Sequence, residues 1–246
     1  MRPPPLDSPQ WHNPVRAFAW GMSAVASTLL SLVLFVTYLG IGALAHDSHF
    51  SLFWALASTL LIWAGPAQII LISTLGAGGT AVQAAIAVTV SAIRLFPMVV
   101  SVLPLLRTPQ TKRRHLALVA HFVAITLWVE CYRLLPLVPR ERRIAFTHGL
   151  GCGLAVVCLV ATAIGYEMAA KLPQIFAAAI LLLTPLAFLL STARNCKQIS
   201  DMLALALGLA LYPVVARFNT GIDVLISGMA AGSIAYGVHW WRERRA

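Results

Sequence analysis

Long uninterrupted apolar runs separated by short polar or basic turns set the pattern of this chain. They cover residues 17–45, 51–74, 81–106, 116–129, 144–166, 172–193, 202–216 and 224–241. None alternates apolar and polar positions with period two, so the strands of a membrane barrel are not expected. Runs of this length and uniformity read as helices, and about 20 apolar residues suffice to cross a hydrocarbon core about 30 Å thick.

Several runs carry internal punctuation. Gly65-Pro66 interrupts the second, and Arg94 with Pro97 the third. A proline inside a helix removes one backbone hydrogen bond and crowds the preceding turn, and in lipid the released carbonyls need other partners. Two breaks in adjacent apolar segments favour a cavity over two unrelated kinks. The fourth run, 116–129, is about 21 Å long at 1.5 Å per residue, short for a full crossing.

Composition agrees with the pattern. Of 246 residues 59% are hydrophobic and only 11% charged, whereas a soluble domain carries about 25% charged residues to wet its surface. Disorder, collagen-like sequence and an ordinary soluble enzyme are excluded, and an all-α, polytopic membrane bundle is the expected class. Its organisation is a Pro-rich tail over 1–16, one transmembrane bundle over 17–241 and a basic tail over 242–246. The tail is expected to lie extended on the membrane surface, and the first run reads as one retained helix with Trp20 at its entry, too long for a signal peptide.

Eighteen Lys and Arg against 8 Asp and Glu give a formal charge of +10. The cations cluster at the ends of apolar runs, at 112–114, 140–143 and 242–245, which reads as membrane topology and not as a nucleic-acid surface. Trp240-Trp241 followed by Arg-rich sequence anchors a cytoplasmic C-terminus, and counting back gives seven or eight spans, with the N-terminus also inside if there are eight. At least one span is broken or re-entrant, because the basic loop 107–115 falls outside if 116–129 crosses completely.

Few residues could carry chemistry. Arg94 is the only charge between Asp47 and Arg107. A guanidinium cannot deprotonate and is costly at membrane depth unless paired or hydrated. It can serve as a donor fork for a substrate carboxylate in a water-filled cavity, as a structural cation paired with an acid or with broken-helix carbonyls, or as an arginine that snorkels to the interface. Glu130, after Trp128-Val129, is one of few acids near membrane depth. Desolvation of a carboxyl favours its neutral form, the property a proton-coupled carrier requires; equally, Glu130 can pair with Arg133 one helical turn on.

Gln68 lies just beyond Gly65-Pro66, where half-helix ends expose backbone groups to substrate. His46 and His49 flank a solvated turn, and Glu167 and Asp201 sit at loop edges. His121 and His148 read as packing histidines able to relay protons. The four cysteines, Cys131, Cys152, Cys158 and Cys196, form no CxxC pair and read as small core residues. No nucleotide loop, nucleophile elbow or metal-ligand spacing is present, so no cofactor, no metal and no enzymatic activity are expected.

Ala64-Gly65-Pro66-Ala67-Gln68, Ala92-Ile93-Arg94-Leu95, Val102-Leu103-Pro104 and Trp128-Val129-Glu130 resemble, in order and spacing, the AGASQ-, NLRH-, LAP- and TDE-like motifs of AzlC-type permeases. The resemblance spans residues 17–240. Pro66 stands in place of a small residue, Ala92 of an Asn, Leu95 of a His and Trp128 of a Thr, so polar groups are fewer here than in the family pattern. The resemblance implies the large subunit of a two-component branched-chain amino acid exporter driven by the proton motive force. It also implies a small AzlD-type membrane partner and a bacterial inner membrane. Under it, Arg94 binds the substrate carboxylate, Gln68 with the carbonyls of Gly65 and Pro66 the ammonium, and Glu130 carries the coupling proton. A different class, a non-transporting membrane scaffold in which Arg94 pairs with a partner helix, is the alternative.

Overall fold

A computed structural model describes residues 5–6, 8–171, 199–218 and 223–243, with single positions at 186, 189 and 193. Helices dominate and no strand occurs among the described residues. They are α1 (Pro14–Val25), α2 (Leu29–Asp47), α3 (Leu52–Leu61), α4 (Gly65–Gly76), α5 (Ala81–Ala92), α6 (Leu95–Leu106), α7 (Arg113–Phe122), α8 (Ile125–Leu134), α9 (Arg143–Lys171), α10 (Ile199–Val215) and α11 (Asp223–Glu243). The expected apolar run 172–193 and Cys196 lie outside the described residues.

The single first helix expected over 17–45 is in fact two. The chain leaves α1 at Val25 and restarts at Thr28, whose side chain accepts a hydrogen bond from the Ser31 amide at 3.2 Å. A threonine at this position satisfies a first-turn donor that has no intrahelical acceptor, so the local chemistry of Ser27-Thr28 overrides the apolar run around it. The Pro-rich tail does not lie extended either. Pro9–His12 forms a 3-10 turn, Trp11 is buried and its indole donates to the Pro5 carbonyl at 3.0 Å. Arg142 then ties this turn down, donating from Nε to the Trp11 carbonyl at 2.7 Å and from Nη2 to that of His12 at 2.6 Å.

α9 is the axis of the fold. It packs along α1 and α2 and also meets α3, α7 and α8. Glycines make the first two contacts close: a Cβ added at Gly21 would overlap the Phe146 carbonyl, and one at Gly149 the Phe18 carbonyl. Farther along, a Cβ at Gly42 would overlap the carbonyl of Thr162, and one at Gly165 that of Leu39. Two reciprocal glycine pairs therefore set both crossings at backbone contact, the packing mode that small residues allow where lipid removes the hydrophobic drive between helices.

Three helical stretches are long and apolar enough to cross a membrane: Leu30–Asp47, Arg140–Lys171 and Ile199–Phe218. Two more reach that length only as bent pairs, Ala81–Ala92 with Leu95–Leu106 at 46° and Arg113–Phe122 with Ile125–Leu137 at 119°. The described residues thus hold three to five candidate spans, fewer than the seven or eight expected. One reason is that α3 and α4, at 10 and 12 residues, are each too short alone. Another is that α11 forms over its expected length, but its glycines, His239 and terminal acids dilute its apolar content.

A broken-helix centre

The second apolar run breaks where the sequence places the break, and its geometry follows from the residues there. α3 ends at Leu61, Ile62 adopts φ −104° and ψ 83°, and α4 restarts at Gly65 with Pro66 in its first turn. At that position the missing proline N–H costs nothing, because first-turn amides have no intrahelical acceptor. The last carbonyls of α3 are left open. One of them, on Leu60, lies 2.9 Å from His121 Nε2. As the oxygen can only accept, Nε2 carries the proton.

His121 ends α7, and the chain turns sharply through Val123 and Ala124 into α8. The Trp63 and Phe122 rings meet edge to face, centroids 5.4 Å apart. The α3–α4 and α7–α8 breaks therefore abut each other. The break expected beside Arg94 is also present, as the 46° bend between α5 and α6, and the short run 116–129 holds the sharper 119° turn.

Behind the first break Gln68 is fully buried. Its Nε2 lies 2.8 Å from Ser58 Oγ, 2.9 Å from Thr59 Oγ1 and 3.4 Å from the Ala55 carbonyl. Both hydroxyls donate to the Ala55 carbonyl, at 2.8 and 3.0 Å, so toward Gln68 they can only accept. That bookkeeping orients the amide: nitrogen toward the hydroxyls, oxygen away. Thr59 Oγ1 also lies 3.1 Å from Thr162 Oγ1 of α9, which must then donate to it. The amide oxygen Oε1 is buried without any hydrogen-bond partner. An unmet buried acceptor costs about 1–3 kcal/mol, and a positively charged or neutral N–H donor arriving at Oε1 recovers it.

Glu130 is 2% exposed and pairs with Arg133, whose side chain is 51% exposed. Arg133 Nε and Nη2 both donate to Glu130 Oε2, at 2.9 and 2.5 Å. Both anchors of α8 to α6 end on Ser101: Trp128 Nε1 donates to its hydroxyl at 2.8 Å and the Tyr132 hydroxyl to its carbonyl at 3.0 Å.

Arg94 stands at the α5–α6 bend and is exposed. Among the described residues it makes no hydrogen bond or ion pair. Of the sequence-derived site residues, then, Gln68 joins Gly65 and Pro66 at the first break, Glu130 joins Arg133, and no bond links either group to Arg94. Ser58, Thr59, Thr162 and His121 were missed as members of this centre. Ser58 and Thr59 carry one available signal, hydroxyls one helical turn or more before a helix break in an otherwise apolar run. His121 carries none, since its partner is 61 residues away. Among the described residues Cys131, Cys152 and Cys158 are free thiols, and no cluster of three metal-ligating side chains occurs.

Apolar helices, abutting breaks and a buried polar cluster define a membrane protein of the transport-related kind. The family model described as AzlC protein matches residues 29–172, and the chain belongs to the AzlC family. The chain matches no curated protein and no solved structure.

Proposed function

We propose that this protein is the large subunit of a secondary transporter that exports small apolar amino acids of the branched-chain type, coupled to protons. The observation that carries the reading is the orphaned Gln68 Oε1 beside a broken helix. An ammonium is the donor that fits such an acceptor: it forms a charge-assisted hydrogen bond, and the last carbonyls of α3, left open by the break before Gly65-Pro66, offer it further acceptors. Arg94 takes the carboxylate, and Glu130 takes up and releases the coupling proton.

The resemblance that motivates the substrate class also supplies the partner, a small AzlD-type membrane subunit, and the setting, a bacterial inner membrane with the C-terminus cytoplasmic. Efflux from cells preloaded with leucine, isoleucine, valine and methionine tests the reading. Faster efflux with wild type, lost in Gln68→Ala at equal membrane abundance, supports it; no efflux of any of the four from abundant folded protein overturns it.

One observation favours a second reading, a scaffold without transport. Arg94 is exposed and lacks a partner among the described residues, as an arginine reserved for an acidic group on another subunit would be. On that reading Arg94→Ala lowers the yield of the complex and leaves no transport to lose.

A further inference from the structure

We infer that a second docking station for the substrate carboxylate lies between α1, α8 and α9, with Arg133 as its binding residue. The inference rests on the carrier reading above and names a site distinct from Arg94. A cavity of about 40 Å³ opens there, lined by Trp20, Ser23, Ser27, Arg133, Val138 and Phe146 among others. At roughly 10–15 Å³ per water it holds about three waters, the space of a carboxylate and its adjoining carbon.

The ion pair beside it is asymmetric. Glu130 is sealed at 2% exposure while the side chain of Arg133, at 51%, borders the cavity. Because Nε and Nη2 both aim at the same oxygen, Glu130 pins the plane of the guanidinium and occupies only one edge of its fork. Nη1 has no partner among the described residues. A guanidinium carries five N–H donors in fixed geometry, so three remain, one on Nη2 and two on Nη1, and this terminal edge can bind an incoming carboxylate through two parallel bonds.

Charge and lining select the ligand. Arg143 Nε donates at 3.1 Å to the carbonyl of Val138, a lining residue, which adds a second cation beside the cavity although Glu130 neutralises part of Arg133. Trp20, Val138 and Phe146 present apolar walls, which favour a carboxylate bearing an apolar substituent over an acidic or sugar-like anion. Sharing Arg133 with Glu130 keeps the station weak, and a carrier must release what it holds.

The test is binding of radiolabelled leucine to the purified full chain in nanodiscs, with any subunit that co-purifies, competed by 4-methylpentanoate and by leucinamide. Wild type is expected to bind leucine and 4-methylpentanoate, and leucinamide at least tenfold more weakly. Arg133→Gln is expected to weaken both acids at least tenfold. Ala24→Leu, which fills the cavity and leaves the ion pair alone, is expected to do the same, and decides the matter if Arg133→Gln does not fold. Wild-type affinity in Ala24→Leu overturns the station while leaving the carrier reading in place, and so does wild-type affinity in Arg133→Gln. Leucinamide bound as tightly as leucine overturns any carboxylate station, and a wild type that binds none of the three overturns the carrier reading as well.

Discussion

His121 Nε2 donates to the Leu60 carbonyl at 2.9 Å, joining the C-terminal ends of two half-helices 61 residues apart in the chain. This bond closes one of the backbone acceptors that the α3 break opens, and the Trp63–Phe122 contact beside it holds the breaks together. Removing the donor therefore has a structural consequence. His121→Ala is expected to lose about 0.5–1.5 kcal/mol, the net worth of one hydrogen bond, read as a lower Tm in detergent. His121→Gln, which keeps an N–H donor, is expected to retain most of it. Equal Tm for both variants and wild type would show that the bond does not hold the breaks.

Gln68 sits at the centre of a polar cluster whose hydrogen bonds are all assigned except one. Gln68→Leu leaves Ser58 and Thr59 with unmet lone pairs, so a lower Tm is expected, by the equivalent of about 1–3 kcal/mol. Gln68→Glu is the sharper probe: ionised, it has no donor for the two hydroxyls and is expected to disrupt the cluster, whereas protonated its single O–H can donate to one of them. Its thermal stability should therefore rise as pH falls, a trend absent in wild type. A pH-independent Tm for Gln68→Glu would contradict the hydrogen-bond assignment around Ser58 and Thr59.

The closest of the glycine contacts among the described residues sets a different limit. At Gly165 an added methyl meets the Leu39 backbone carbonyl, which has no side-chain freedom with which to give way. Gly165→Val is expected to force α2 off α9, costing about 1–3 kcal/mol or more, and to reduce membrane abundance several-fold. Gly232 has open space around its Cα, so Gly232→Ala is expected to be neutral or to stabilise α11 by about 0.5–1 kcal/mol. Equal abundance of Gly165→Val and Gly232→Ala would argue against backbone contact between α2 and α9.

Proton coupling through Glu130 makes a kinetic prediction. Glu130→Gln removes the exchangeable proton and the charge that Arg133 answers, so efflux is expected to become slower and insensitive to external pH while leucine counterflow, which needs no net proton movement, persists. Unchanged pH dependence in the variant assigns the proton to another group.

Arg94 separates the two readings of function. For a carboxylate fork, Arg94→Lys keeps charge but loses the planar pair of donors, and export is expected to fall at least tenfold at unchanged complex yield. A scaffold role predicts the reverse order, with Arg94→Ala lowering the yield of the complex and Arg94→Lys restoring much of it. Quantifying folded complex and efflux in the same membranes distinguishes them.

Much of the architecture is legible in the chain because lipid imposes a simple rule: backbone groups must be satisfied internally, so apolar runs become helices. The break at Gly65-Pro66 is equally local, since a glycine followed by a proline restarts a helix at no hydrogen-bond cost. Gln68 and Glu130 stand out as rare polar groups in apolar surroundings, and both are buried. By contrast, no glycine or proline marks Val123-Ala124, where the chain turns by 119°. The split at Ser27-Thr28 escaped notice for a related reason, because one capping hydroxyl is a small signal inside a long apolar run.

By itself, then, the sequence determined a helical membrane protein of the AzlC kind, the breaks at Gly65-Pro66 and beside Arg94, and that Gln68 and Glu130 are rare polar groups in apolar runs. Only the tertiary structure decided that the α3–α4 and α7–α8 breaks abut through His121 and Leu60, and that Thr59 and Thr162 complete the Gln68 cluster. It likewise decided that Glu130 is held by Arg133 and that Arg94 stands apart from both. The physical reason is range: helix formation and breaking depend on neighbours within a turn or two, whereas a hydrogen bond between residues 61 or 103 positions apart depends on how whole helices cross. Along α9, glycine pairs likewise bring α1 and α2 to backbone contact.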